Sequence, residues 1–161
     1  QYHQQLIFNS DRFPNETDFP KESFDAVILH RVIALLTPAE MDAGLKKAWQ
    51  WLKPGGQIFM VGFAPQHKRV RGTFLGAYEK GWQQGNPWPG YPLVVEKHLP
   101  DQADALPKMI HAMDGRALEA ALKRHGFSII RSDFISMQHL PGAAEDFVRD
   151  GKEHYGVVGA R

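Results

Sequence analysis

Apolar and polar positions along the first third of the chain alternate between continuous runs and a helical pattern. Residues 24–30 (FDAVILH) form a continuous apolar run, which is typical of a strand buried on both faces of a parallel sheet. Residues 57–63 (QIFMVGF) predict a second buried strand, and the short run at 5–10 (QLIFNS) predicts another. A helical pattern separates the two longer runs. We therefore expect a strand, a helix and a parallel strand joined by a right-handed crossover.

The helix between these strands has the clearest boundaries. Thr37 is its predicted N-cap, with Pro38 at the first helical position and Glu40 placed to complete a capping box. Apolar side chains then recur on one face at Met41, Leu45, Ala48, Trp49 and Leu52. The sequence Pro54-Gly55-Gly56 predicts that the helix has ended before the next strand begins.

The end of the chain contains one more helix and two more strands. Asp114 is the predicted N-cap of a helix over 115–124, which would bury Leu118, Ala121 and Leu122. Gly126 predicts its end. Strands are predicted over 127–135 and 155–160, connected by a loop around Pro141-Gly142.

Residues 64–113 differ from the rest of the chain because they show little periodicity. Six of the eleven prolines fall here, together with the aromatic residues Tyr78, Trp82, Trp88 and Tyr91. A long irregular segment inside a compact domain is usually a lid or a binding loop. We predict one domain over 1–161 with residues 64–113 as a substrate lid. The four aromatic side chains would either line an apolar substrate pocket or form a small core within the lid.

Composition removes several classes of function. The net charge of +1 gives no strong field toward nucleic acid or an anionic membrane, and the chain has no cysteine for a disulfide, a thiolate metal site or a nucleophile. No apolar run is long enough to span a bilayer. The eight histidines lack metal-ligand spacing, so we interpret them as scattered surface residues and predict no metal site. The basic run at 67–71 is either a phosphate contact or a solvated loop, and the nearly balanced overall charge favours the solvated loop.

Two polar residues lie at the carboxyl ends of predicted strands, where open α/β sheets bind ligands. His30 ends the strand at 24–30, where it is either a cofactor contact or general base, or a polar residue bonded to the backbone. Asp11 follows the run at 5–10, where it is either a ligand contact or an Asx-turn residue. No GxSxG, P-loop or GxGxxG motif is present.

Two stretches separated by eight residues, SFDAVILHRVIALL and LKKAWQWLKPGGQIFMVGF, resemble the middle of class I S-adenosylmethionine-dependent methyltransferases. In that family the fourth strand reads F-D-x-V, and a helix ending in L-K-P-G-G leads to the fifth. The run LIFNSD resembles its third strand. The segments HGFSII and YGVVGA resemble its sixth and seventh strands, the seventh antiparallel. The implied fold is an α/β, Rossmann-like methyltransferase sheet that is mostly parallel.

The resemblance implies S-adenosyl-L-methionine as cofactor and a small-molecule methyl acceptor as substrate. It places cofactor contacts at Asp11, Arg12, Leu29, His30 and Arg31, with His30 also the candidate catalytic base. The family's glycine-rich loop and ribose-binding acid would precede residue 1. We therefore interpret the chain as a partial domain that lacks the N-terminal strands and is inactive alone.

Two other functions stay open from the sequence. One is a non-catalytic binding or regulatory module that retains this fold, and the other is a different Rossmann-type enzyme such as a nicotinamide oxidoreductase. The L-K-P-G-G turn and the expected antiparallel last strand argue against the oxidoreductase. We expect a cytoplasmic protein, and a possible homodimer through the strand edge that the missing strands would leave exposed.

Overall fold

The computed structural model of the chain describes residues 8–136 and 150–161. A four-stranded sheet forms its centre, in the order β1 (Phe24–His30), β2 (Leu52–Phe63), β6 (His154–Ala160) and β5 (Ser128–Ile135). β1 and β2 are parallel, whereas β6 is antiparallel to both of its neighbours. β1, β2 and β5 therefore run in one direction and β6 runs in the other. This confirms the predicted sheet, which is mostly parallel with an antiparallel last strand, for these four strands.

Two amphipathic helices cover one face of this sheet. The predicted capping box begins α1 (Pro38–Trp51): the Thr37 side chain accepts from the backbone N–H of Glu40, and the Glu40 carboxylate accepts from that of Thr37. The Asp114 side chain caps α4 (Gly115–Arg124) by accepting from the N–H of Ala117. Their apolar faces meet the sheet in a cluster that we call the sheet core. It includes Met41, Leu45, Ala48, Leu52, Ile58, Met60, Leu118, Ala121, Leu122 and Val157.

β1 is less buried than its composition predicted. Only Leu29 is buried, and Ile28 on the same strand is 71% exposed. The expectation of burial on both faces is therefore wrong for the described residues, because β1 is the edge strand and has β2 as its single neighbour in the sheet. Of the strand predicted at 5–10, residues 8–10 have no regular structure and 5–7 lie outside the described residues, as does the loop around Pro141-Gly142.

The turn between α1 and β2 differs slightly from the prediction. The strand begins at Leu52, which pairs with Phe24, and regular pairing resumes at Gln57, which pairs with Ala26. The residues between them form an irregularity rather than a separate turn, and Gly55 there has a φ of +79°, a conformation that glycine adopts without strain. Leu52 is buried as predicted but belongs to the strand.

Residues 64–113 are more regular than expected. They contain α2 (Lys68–Gln83), the short pair β3 (Leu93–Val94) and β4 (Met109–Ile110), and the single turn α3 (Val95–His98). Short 3₁₀ turns lie at Val32–Leu35 and Pro100–Gln102. The solvated-loop interpretation of 67–71 is wrong, because these residues form the N-cap and first turn of α2 and His67 is 1% exposed.

This segment has its own apolar cluster, which we call the segment core. It contains Val70, Phe74, Tyr78, Leu93, Val95, Leu99, Ile110 and Ala112. Backbone bonds join the segment to the end of β2 and to the 3₁₀ turn after β1: the N–H of Met113 donates to the carbonyl of Phe63, and that of His111 donates to the carbonyl of Ala34. Within the described residues, no helix is both long enough and apolar enough to cross a membrane.

Candidate functional site

A cavity of about 470 Å³ lies where three strand ends meet. His30 is the last residue of β1, Phe63 is the last of β2, and His154 is the first of the antiparallel β6. All three line the cavity, which therefore lies at the carboxyl ends of the parallel strands. Open α/β sheets bind their ligands outside these ends, because the loops that follow the strands diverge there.

One wall of the cavity comes from the tight turn after β1. Arg31 has a φ of +63°, in the left-handed region that non-glycine residues seldom adopt, and its backbone N–H donates to the carbonyl of Val61. This turn starts the 3₁₀ segment and directs the chain away from the sheet. Strained backbone of this kind is concentrated at ligand-binding positions. The wall consists of Arg31, Val32, Ala34 and Leu35.

The opposite wall comes from the 64–113 segment, through His67, Arg69, Leu99, Gln102, Leu106 and Ile110. The ring of His67 stacks on that of Phe63 with centroids 4.9 Å apart, and its Nδ1 accepts from the backbone N–H of Arg69. The guanidinium of Arg69 forms an ion pair with Asp101. The segment core and the end of the sheet thus enclose the cavity between them.

Burial keeps two of the cavity's histidines neutral. His154 is 5% exposed, and its pKa is lowered to about 4, first by burial and then by the positive charge of Arg31. Burial likewise lowers the pKa of His67, against the attraction of Glu153. Among the described residues, Nδ1 of His154 has no hydrogen-bond partner. Near pH 7 both imidazoles are therefore uncharged, and burial opposes their protonation.

Of the predicted cofactor residues, the cavity brings together His30 and Arg31. Leu29 is buried in the sheet core beside them. Asp11 and Arg12 are exposed and do not line the cavity. The backbone N–H of Asp11 donates to the side chain of Asn9, and the guanidinium of Arg12 lies 3.8 Å from the Glu40 carboxylate.

None of the four predicted substrate aromatics lines this cavity. Tyr78 is fully buried and donates its hydroxyl to Asp114 at 2.6 Å, and burial strongly raises the pKa of that phenol. Trp88 is 4% exposed and donates its Nε1 to Asp42. Trp82 and Tyr91 are half-buried. Tyr78 belongs to the segment core, whereas Trp88 packs in the sheet core.

Two cavity residues, His67 and His154, were not among the sequence candidates. The interpretation of the histidines as surface residues is wrong for both, because they are 1% and 5% exposed. His67 seemed part of a basic loop, and the last strand was predicted to begin one residue later, at Tyr155. A usable signal existed for His154. The amino end of an antiparallel strand lies beside the carboxyl ends of its parallel neighbours, so a polar residue that opens such a strand belongs at the ligand-binding edge.

Comparisons with known proteins agree with this arrangement. Residues 10–60 match a family model described as "Methyltransferase domain". A S-adenosylmethionine-dependent methyltransferase structure from Methanosarcina mazei shares 16% identity with a TM-score of 0.59, over 90% of this chain and 62% of that one. One from Mesorhizobium loti shares 16% with a TM-score of 0.58, over 91% and 66%. One from Archaeoglobus fulgidus shares 12% with a TM-score of 0.54, over 89% and 62%.

The chain has the fold of the class I S-adenosylmethionine-dependent methyltransferases. It spans less than two thirds of the length of these three methyltransferase structures. No curated protein matches the chain. In this methyltransferase fold the cavity occupies the strand ends at which ligands bind, and the 64–113 segment forms one of its walls.

Proposed function

We propose that this chain supplies the acceptor side of a methyltransferase that moves a methyl group from S-adenosylmethionine to a small molecule. The observation that carries the proposal is the cavity at the carboxyl ends of β1 and β2, in a chain with the methyltransferase fold. A volume of about 470 Å³ lies within the range of small-molecule sites.

The cofactor residues of the proposal are Leu29, His30 and Arg31 at the end of β1, with Asp11 and Arg12 in the preceding connection. A ligand could bind over the carboxyl end of β1, since His30 and Arg31 are both exposed there. The sequence holds no G-x-G-x-G loop, so these residues would contribute only part of the cofactor contacts. S-adenosylmethionine would supply the reactive methyl group.

The chain's own residues would orient the acceptor and exclude water, which is most of what such a transfer requires. In such a transfer the lone pair of the acceptor's nucleophilic atom would form the new bond to the methyl carbon, and the electron pair of the broken carbon–sulfur bond would stay on sulfur as a thioether. A proton on the acceptor atom passes to a base. His30 is the proposed base, and it lines the cavity.

The 64–113 segment is the proposed substrate lid. Six residues of the cavity wall come from it, and its backbone is bonded to the ends of β2 and of the turn after β1. Its position supports a role in selecting the acceptor. A homodimer through the edge of β1 is part of the same proposal, because that edge has no neighbouring strand among the described residues. A cytoplasmic location is part of it too, since a chain without cysteine fits a reducing compartment.

Calorimetry with S-adenosylmethionine tests the function. We expect no micromolar binding by the 161-residue chain, because the glycine-rich loop and ribose acid of the family are absent from its sequence. A chain extended at its N-terminus to include those elements should bind at micromolar concentration and methylate members of a small-molecule panel. Tight binding by the 161 residues would contradict the idea that the cofactor site is partial. An extended protein that binds acceptors but neither binds nor uses the cofactor would instead favour the non-catalytic module.

A further inference from the structure

The residues that line the cavity are partly apolar, and those among them that carry a charge are positive. Seven lining residues are apolar, namely Val32, Ala34, Leu35, Phe63, Leu99, Leu106 and Ile110. The polar lining residues are two arginines, three histidines and one glutamine, and no lining residue among those described carries a carboxylate. Such a wall suits a ligand that is largely apolar and carries a localised negative charge.

The two arginines differ in what neutralises them. Arg69 is joined to Asp101 in an ion pair, so its charge is already compensated within the protein. The side chain of Arg31 forms no hydrogen bond or ion pair with any other residue in the ranges 8–136 and 150–161. Its charge is nevertheless felt inside the site, because it helps to lower the pKa of His154.

Two of the three histidines, His67 and His154, do not take over this role near neutral pH. The lowered pKa values of His154 and His67 leave both imidazoles uncharged, so neither competes with Arg31 for an anion. Arg31 is held at the cavity by its left-handed backbone and by the bond from its N–H to Val61. These features fix the backbone of Arg31 at the rim of the cavity, and its exposed guanidinium can hold a carboxylate there through two parallel hydrogen bonds.

We propose that Arg31 anchors the carboxylate, or another oxyanion, of an acceptor whose remaining surface is apolar. The identification of this ligand as a methyl acceptor rests on the function proposed above, whereas the preference of the cavity for an apolar anion does not. This gives Arg31 a second role, because its side chain would contact the acceptor while its backbone stays among the proposed cofactor residues at the end of β1.

Binding of 2-naphthoate and of its neutral analogue 2-naphthamide to the 161-residue chain tests the inference without any cofactor. We expect the carboxylate to bind at least tenfold more tightly than the amide, measured by calorimetry or by NMR titration. Arg31→Gln should remove this preference by weakening naphthoate and leaving naphthamide unchanged. Arg31→Lys keeps the charge and should retain at least part of the preference, which shows that the turn tolerates substitution.

Arg71→Gln is the matched control. Arg71 lies on α2, forms an ion pair with Asp150 and does not line the cavity, so its loss should leave the naphthoate preference intact. Equal binding of acid and amide by the unmodified chain would overturn the inference. So would an equal loss of preference in Arg71→Gln, since that would reflect general charge attraction.

The test separates this inference from the proposed function. If the cavity prefers naphthoate through Arg31 but the extended protein transfers no methyl group, the anion site stands and the methyltransferase proposal fails. If the extended protein methylates only neutral or cationic acceptors, and naphthoate shows no preference, the enzyme proposal stands and the assignment of Arg31 fails. Weakened S-adenosylmethionine binding in extended Arg31→Gln, with the naphthoate preference intact, would return Arg31 to the cofactor.

Discussion

The sheet core and the segment core are built in different ways. Residues of the sheet core come from long elements whose hydrophobic spacing is visible in the sequence, such as Met41, Leu45 and Ala48 on α1. The segment core joins one helix to two-residue strands and single turns, and much of its structure depends on contacts between residues far apart in the chain. Regular spacing therefore builds the general fold, while irregular contacts shape the wall that faces the cavity.

A polar cluster beside the segment core adds to this contrast. Asp114 is 4% exposed; its carboxylate caps α4, accepts from the hydroxyl of Tyr78 on α2 and pairs with Arg116. Arg116 also reaches Glu79 on α2. Through these bonds α2 is attached to the N-terminus of α4, and so the segment is fixed to a helix of the sheet core. Because many separate bonds hold this wall, a single substitution that forces its backbone to move should lower the free energy of unfolding strongly.

Gly90→Ala should give the largest effect in the segment. A Cβ at this position would lie 1.6 Å from the carbonyl oxygen of Ala112, which is backbone and cannot rotate away. We expect a loss of about 3 kcal/mol in the free energy of unfolding, measured with urea. Gly72→Ala, whose added Cβ meets nothing within 4 Å, is the matched control and should not destabilise. Equal stability of the two variants would show that the segment core does not depend on this contact.

Hydrogen exchange on the same variant sharpens the comparison. If Gly90→Ala loses protection in α2 and keeps it in α4 and β6, the two cores unfold separately. If protection falls everywhere by the same amount, they form one cooperative unit.

The sequence predicted the sheet core well because its signals are local. The capping box at Thr37, the stripe on α1 and the Asp114 cap each lie within one helix, and all appear in the structure. Helix α2 was missed although Val70, Phe74 and Tyr78 recur every four residues, because glycines at 72, 76 and 81 and six nearby prolines obscured the pattern. The cavity was predicted only in part, since residues 67, 69, 99 and 154 meet there through tertiary contacts that no local pattern records.

Acidification should weaken the junction between the two cores through His111. This residue is fully buried; its Nδ1 donates to the carbonyl of Leu36, and burial lowers its pKa to about 4 despite the nearby carboxylate of Asp42. The folded pKa lies below the unfolded value of about 6.5, so the unfolded chain binds the proton more tightly between those values. Stability is therefore complete above about pH 6.5 and falls as the pH drops toward 4.

For His111 alone we expect a loss of about 2 kcal/mol in the free energy of unfolding between pH 7 and pH 5. Urea titrations at both values measure it. His111→Gln should reduce the difference in the free energy of unfolding between pH 7 and pH 5. It should also lower stability at pH 7, because it removes a buried contact. His154 and His67 have lowered pKa values as well, so some dependence should persist. An unchanged difference in His111→Gln would show that His111 does not carry this effect.

Gly76→Ala should give the smallest effect, and it should stabilise. Gly76 lies inside α2, where an added Cβ meets nothing within 4 Å, and alanine favours a helix interior over glycine by about 0.5–1 kcal/mol. Gly81→Ala is the matched control on the same helix, because its Cβ would lie 2.6 Å from that of Pro89 and the clash should cancel the gain. Urea unfolding of both variants measures the difference. If Gly76→Ala raises stability and Gly81→Ala does not, then α2 is a helix weakened by its own glycines and held in place by tertiary contacts. If neither variant changes stability, α2 does not contribute to the cooperative unfolding of the domain, and the segment core would have to be regarded as a unit separate from the sheet.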